Sequence, residues 1–235
     1  PIGAYSEKHI MPENKLVPVP DGVSDEVASC VTLKGITAEY LLHRAYPLKK
    51  GDKVLYHAAA GALGQILCPW ANSIGAEIIG TVGSKEKEEI AKKNGCHHVI
   101  NYTDKNFVEE VEKIVGKNGI DVVYDGVGLK TFEGSIEVLK IRGMMVAFGN
   151  ASGYVDTIDV KKHINAKGLF FTRPSIAHYT IEREELLESA KKVFDAVLSG
   201  KFKIEISKKY SLEEVKQAHE DLEGRLLTGP AVIKP

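Results

Sequence analysis

The sequence predicts an α/β protein, a doubly wound parallel sheet with helices on both faces. Three observations carry the prediction. Between residues 54 and 172, short and nearly continuous apolar runs alternate with amphipathic stretches, the pattern of strands buried on both sides. The first run enters a glycine turn, His57-Ala58-Ala59-Ala60-Gly61-Ala62-Leu63-Gly64, that opens a helix. The second ends at Gly83-Ser84-Lys85-Glu86-Lys87, where a hydroxyl and two lysines stand in place of an acid.

Residues 1–20 are short extended pieces broken by Pro12, Pro18 and Pro20, and Asp21-Gly22 is a turn. Residues 24–46 have helical spacing, with Val27, Val31, Ile36, Tyr40 and Leu41 turned inward; Pro47 and the Lys49-Lys50-Gly51-Asp52 turn end that helix. Strands are expected at 54–57, 78–82, 99–102, 120–125, 143–148 and 169–172. Helices fall between them at 62–73, 85–93, 107–115 and 130–139, the first three stopped by Gly75, Asn94-Gly95 and Gly116. A long amphipathic helix covers 181–198, and residues 202–210 alternate as an extended segment. Ser211-Leu212-Glu213-Glu214 is a capping box for a helix to about residue 222, and 231–233 close the chain as a strand. The tail is expected to return to strands within residues 1–20, so that both chain ends share a small subdomain.

Basic and acidic side chains number 31 and 32, a net charge of −1, which argues against a dedicated nucleic-acid or membrane-surface binder. Cys30, Cys68 and Cys96 have no paired spacing, so neither a disulfide framework nor a zinc cluster is expected, and a reducing cytoplasm suits them. No apolar run is long enough to span a bilayer, and no signal peptide opens the chain. The start, Pro1-Ile2-Gly3-Ala4-Tyr5, lacks a Met, and residues 4–10 read like the middle of a strand. The sequence is therefore expected to be the C-terminal part of something longer.

The glycine turn carries the first chemistry. In Ala59-Ala60-Gly61-Ala62-Leu63-Gly64 the first glycine of a GxGxxG pattern is Ala59; Gly61 lets backbone approach a phosphate, and Gly64 permits close helix–strand packing. This is a Rossmann-type dinucleotide site. Ser84 and Lys87, with no acid at 82–84, suit the 2′-phosphate of NADP, and Ser84 can also cap the helix it precedes. Tyr102 ends the third strand at the ligand edge of the sheet, as a packing residue or as a contact to adenine or phosphate. Gly126, Gly128 and the Phe148-Gly149-Asn150 turn lie at equivalent strand ends. The eight histidines show no metal-ligand spacing, and no Ser-His-Asp grouping or nucleophile elbow is present. Hydride transfer fits that picture, because the cofactor carries the chemistry.

The segments Leu33-Lys34-Gly35-Ile36-Thr37-Ala38-Glu39-Tyr40, His57-Ala58-Ala59-Ala60-Gly61, Gly80-Thr81-Val82-Gly83-Ser84, Val99-Ile100-Asn101-Tyr102, Tyr124-Asp125-Gly126-Val127-Gly128, Phe148-Gly149-Asn150 and Thr172-Arg173-Pro174 resemble the NADPH:quinone oxidoreductases. These are the zeta-crystallin-like branch of the medium-chain dehydrogenase/reductases. The resemblance covers essentially the whole chain. It implies NADPH as cofactor, a quinone as hydride acceptor and no zinc, since Leu33 stands where the zinc-dependent cousins carry Cys. It implies that residues 36–174 are the NADP-binding domain and that 1–35 with 175–235 are a remnant of a GroES-like catalytic domain. It implies that Gly61, Ala62 and Leu63 meet the pyrophosphate, and that Gly83, Ser84, Lys87 and Tyr102 hold the 2′-phosphate end. Phe148 and Asn150 would then lie along the cofactor. Thr37, Phe170, Phe171 and Thr172 would flank the nicotinamide, and Arg225 would reach the cofactor. Ala62 departs from the family's usual Gly. The resemblance assigns no catalytic acid here. An alkenal or enone reductase and a non-catalytic crystallin-like or RNA-binding protein are the alternatives. A homodimer joined through residues 169–172 is expected.

Overall fold

The computed structural model describes residues 3–224 and 226–235. Six strands form the main sheet: β1 (Lys53–His57), β2 (Glu77–Val82), β3 (His98–Asn101), β4 (Ile120–Asp125), β5 (Leu139–Ala147) and β6 (Phe170–Thr172). Their spatial order is β3-β2-β1-β4-β5-β6, and every neighbouring pair is parallel. The chain starts in the middle of the sheet and winds outward both ways. Its order therefore reverses between β1 and β4, and the loops leaving those strands diverge to open a crevice at the carboxyl edge.

The helices are α1 (Asp25–Tyr40), α2 (Gly64–Ile74), α3 (Lys85–Lys93), α4 (Phe107–Val115), α5 (Phe132–Val138), α6 (Arg183–Leu198) and α7 (Val215–Glu223). Two cores sandwich the sheet. On one face Val54, Tyr56, Ile78 and Tyr124 pack with Ile36, Ile66, Leu67 and Val193 of α1, α2 and α6. On the other, Leu55, Ile79, Val123 and Met145 pack with Val111 of α4 and with Phe132 and Ile136 of α5. Burial on both faces is why the strands read as unbroken apolar runs.

Three expectations need correction. The helix over 24–46 is two pieces: α1 ends at Tyr40 and a wider π turn covers Leu41–Ala45. The fully buried Tyr124 hydroxyl donates to Leu41 O at 3.1 Å, drawing on a carbonyl of the ladder where the turn widens. Strand β5 begins at Leu139, directly after α5, and not at 143. There Lys167 Nζ takes the carbonyls of Glu137 and Leu139 at 2.6 and 2.9 Å, so the helix end is satisfied without a loop. Finally, the tail pairs with itself: β7 (Lys208–Ser211) and β8 (Ala231–Lys234) form a two-stranded parallel sheet. Residues 3–20 contain a 3₁₀ turn at Glu13–Lys15 and no strand. Pro12, Pro18 and Pro20 each lack the N–H a ladder needs. Arg183 fastens this segment instead, through the carbonyls of Asn14 and Leu16.

Candidate functional site

The crevice is built from the loops after β1, β2, β3 and β4. After His57 the chain turns sharply, with Ala58 in the left-handed region at φ 62°. A non-glycine residue there costs about 1–2 kcal/mol, a strain that strand β1 and helix α2 impose from either side. Gly61 N–H donates back to Ala58 O at 2.9 Å. A Cβ on Gly64 would lie 2.1 Å from Ala59 O, so the helix approaches the strand at a distance only glycine allows. Helix α2 has no side-chain cap. Among the described residues the amides of Ala62 and Leu63 bond to no other backbone group. Free amides at a helix N-terminus are an anion site, and here they face a tight turn.

The end of β2 supplies the second wall. Ser84 caps α3 as expected, accepting from Lys87 N at 3.4 Å. A Cβ on Gly83 would fall 2.6 Å from Tyr102 Oη, so the tyrosine lies across the Gly83 backbone. Tyr102 is 47% exposed and lines the cleft. Lys87 is half-buried, and among the described residues its ammonium has no carboxylate within ion-pair distance. Farther along α3, Lys92 and Lys93 pair with Glu89 and Glu205.

Gly61, Ala62, Gly83, Lys87 and Tyr102 come together around two adjoining hollows of about 250 and 1090 Å³ that share Ala58, Gly83, Lys87 and Tyr102. Lys105 and Lys130 join Lys87 on the walls, and among the described residues no lining residue is acidic. Free amides at one end and unpaired lysine at the other fit a dinucleotide carrying an extra phosphate. Leu63 and Ser84 sit in the two turns themselves. Phe148 stacks parallel to Tyr56 at 6.4 Å beside the turn after β5, and its ring fills the space a Cβ on Gly126 would need. Asn150 and Phe171 line a separate, mainly apolar cavity of about 400 Å³ at the ends of β4–β6. Phe170 and Thr172 project from the opposite face of β6 to Phe171. Thr37 donates to Leu33 O at 2.9 Å within α1 and lines none of these hollows. Arg225 lies outside the described residues.

The zinc-binding dehydrogenase family matches residues 62–198. A 2-haloacrylate reductase of Burkholderia sp. is 45% identical over 238 residues, spanning 100% of this chain and 72% of that protein. A quinone oxidoreductase of Salmonella typhimurium is 42% identical over 237 residues, with the same shares. The chain belongs to this family, in its quinone oxidoreductase branch. The crystal structure of Escherichia coli quinone oxidoreductase complexed with NADPH superposes on it with a TM-score of 0.87 at 42% identity, covering 92% of this chain and 67% of that one.

The family's name raises the question of zinc. Among the described residues no three His, Cys, Asp or Glu side chains gather where they could hold a metal ion. Cys30, Cys68 and Cys96 are buried free thiols.

Sequence reasoning missed Ala58, Thr103, Lys105, Asn106, Lys130 and Thr131 as cleft residues of this quinone oxidoreductase-like chain. All follow strand ends, which is the signal that locates them. It also missed a buried polar chain under the cleft. His57 is 1% exposed; its Nδ1 lies 2.9 Å from Thr81 Oγ1 and its Nε2 2.9 Å from Ser135 Oγ. Ser135 reaches Asp125 Oδ2 at 3.4 Å, and Thr131 Oγ1 donates to the same oxygen at 2.7 Å. Asp125 Oδ1 accepts from Val127 N and Gly128 N at 2.7 and 2.9 Å.

Burial pushes the His57 pKa below the ordinary value, against a smaller upward pull from Asp125. Burial lowers His43 in the same way. The unfolded chain takes up protons at these rings near pH 6.5, whereas the folded chain resists until a lower pH. Below about pH 6.5 the unfolded state then binds more protons, so stability falls as pH falls. The melting temperature is expected to drop between about pH 7 and 5.5, less steeply in His57→Asn. A flat profile for the wild-type chain would contradict this.

Proposed function

We propose that this chain carries the cofactor site of an NADPH-dependent, zinc-independent oxidoreductase that reduces quinones. The end of β2 is the observation that supports it most directly. Ser84 and Lys87 stand there beside Tyr102, and positions 82–84, where an acid would take up the ribose hydroxyls of NAD, carry none; Glu86 is on the exposed start of α3. NADPH, when bound, supplies a hydride. The chain's own part is to bind and orient: the Ala62 and Leu63 amides at the pyrophosphate, Gly83, Ser84, Lys87 and Tyr102 at the 2′-phosphate. Phe148 and Asn150 follow along the cofactor, Thr37, Phe170, Phe171 and Thr172 toward the nicotinamide, and Arg225 from the tail. Residues 36–174 are the cofactor unit in this reading, with 1–35 and 175–235 the GroES-like remnant. Helices α1 and α6 nonetheless share a continuous core with the sheet. The buried thiols suit the cytoplasm.

Reduction of an electron-poor alkene is the second reading, favoured by the likeness to a 2-haloacrylate reductase. Turnover of NADPH by the full-length native enzyme should be compared with a benzoquinone, an enone and a 2-haloacrylate as acceptors. Oxidation with the quinone after dialysis against a chelator is expected. Failure with every acceptor would sink the proposal, and loss on chelation would sink zinc-independence.

A homodimer through β6 belongs to the same reading. Among the described residues β6 is the edge strand, bonded to β5 alone, and Phe170 on it is 57% exposed. An open apolar edge is normally covered or paired, and a two-fold axis would join the two sheets. Sedimentation at micromolar concentration should give a dimer that Phe170→Lys dissociates. A monomeric wild type would reject it.

A further inference from the structure

We infer that His57 is a positioning residue for the pyrophosphate turn, held in a single tautomer by the buried chain Thr81–His57–Ser135–Asp125. The inference rests on the NADPH reading above and assigns the ring a part in it.

The tautomer follows from counting protons. The Ser135 hydroxyl has one proton and lies 2.8 Å from Thr131 O and 3.4 Å from Asp125 Oδ2, both acceptors. The 2.8 Å contact to Thr131 O is the shortest the hydroxyl makes, and with its proton given there it accepts from His57. His57 Nε2 therefore carries the hydrogen. Nδ1 is left with a lone pair, and Thr81 Oγ1 donates to it. In this direction Thr81 donates to His57, and His57 donates to Ser135.

The ring's place makes that fixed direction useful. His57 precedes Ala58, whose left-handed backbone starts the turn that exposes the Ala62 and Leu63 amides. Its ring ties β1 to β2 through Thr81 and to α5 through Ser135, and meets the Phe107 ring of α4 edge-on at 5.1 Å. Ala58, Phe107, Val127 and Thr131 are neighbours of this chain, and all four line the cleft. One buried imidazole thus sets the distance from the pyrophosphate turn to the facing wall. A leucine at 57 would fill the space and leave the hydroxyls of Thr81 and Ser135 without their partner.

The test uses ligand binding, not turnover. NADPH and 2′-AMP, which has the 2′-phosphate but no pyrophosphate, are titrated against wild type, His57→Leu, His57→Asn and Thr81→Val, with melting temperatures recorded. His57→Leu is expected to weaken NADPH about tenfold and 2′-AMP by less than about twofold. His57→Asn keeps an acceptor for Thr81 and should fall between. Thr81→Val is close to isosteric, and it answers the question if His57→Leu fails to fold: it should show the same selective loss. Imidazole ¹⁵N shifts of the wild type should report the Nε2–H form. The Nδ1–H form, unchanged NADPH binding in folded variants, or equal losses of both ligands would overturn the inference. No binding of NADPH by wild type would instead overturn the cofactor reading, and the inference with it.

Discussion

Replacing Lys87 by alanine is expected to weaken NADPH by about 1–3 kcal/mol, roughly 5- to 150-fold, and to leave NADH nearly unchanged. The argument is local. Lys87 lies on the first turn of α3, where Ser84 holds the backbone by its cap. Its side chain borders both hollows beside Gly83 and Tyr102, and no cleft-lining carboxylate competes for it. A dianionic phosphate placed there gains charge-assisted bonds in a partly desolvated site. NADH has a hydroxyl at that position and gains little from the same ammonium. Ser84→Ala is a less selective probe, since it also removes a helix cap worth about 1 kcal/mol. Dissociation constants from fluorescence titration decide the matter. Equal affinities of the wild type for NADPH and NADH, or an equal loss of both in Lys87→Ala, would refute the assignment of Lys87 to the 2′-phosphate.

What was legible in the sequence was what local pattern encodes. Helices α3 and α4 and strand β4 have the residue limits that periodicity and glycine stops predict, 85–93, 107–115 and 120–125. Ser84 as a cap and Gly75 in a left-handed C-terminal position were equally local. Features set by distant partners were not legible. The π turn answers to Tyr124 from a strand far along the chain, and the early start of β5 answers to Lys167. The parallel pairing of β7 with β8 depends on which of several short segments finds a partner, and alternation alone does not say. The site divides the same way. Gly61, Gly83 and Lys87 stand next to strand ends and can be read from motif position. Thr81, His57, Ser135 and Asp125 come from β2, β1, α5 and β4, and their meeting leaves no periodic trace.

Asp125→Ala is expected to lower unfolding free energy by about 3–5 kcal/mol, since removing one member of a buried polar set strands the others. Asp125 is fully buried at the end of β4. One oxygen accepts the amides of Val127 and Gly128; the other accepts the Thr131 hydroxyl and lies within reach of Ser135. Alanine leaves the two amides facing a methyl group, while the Thr131 hydroxyl keeps Gly128 O as an acceptor. Together these bonds shape the turn from β4 into α5 and hold Val127 and Thr131 on the cleft wall. Asparagine gives a sharper comparison. Its carbonyl oxygen can still take both amides. Its NH₂ would then face Thr131, but that hydroxyl already lies 3.1 Å from Gly128 O and can turn its proton there. Asp125→Asn should therefore cost about 1–2 kcal/mol, less than alanine. Urea unfolding followed by circular dichroism measures both. A loss under about 1 kcal/mol for alanine, or asparagine as damaging as alanine, would mean that water or backbone relaxation satisfies these groups and that the carboxylate does not organise the turn.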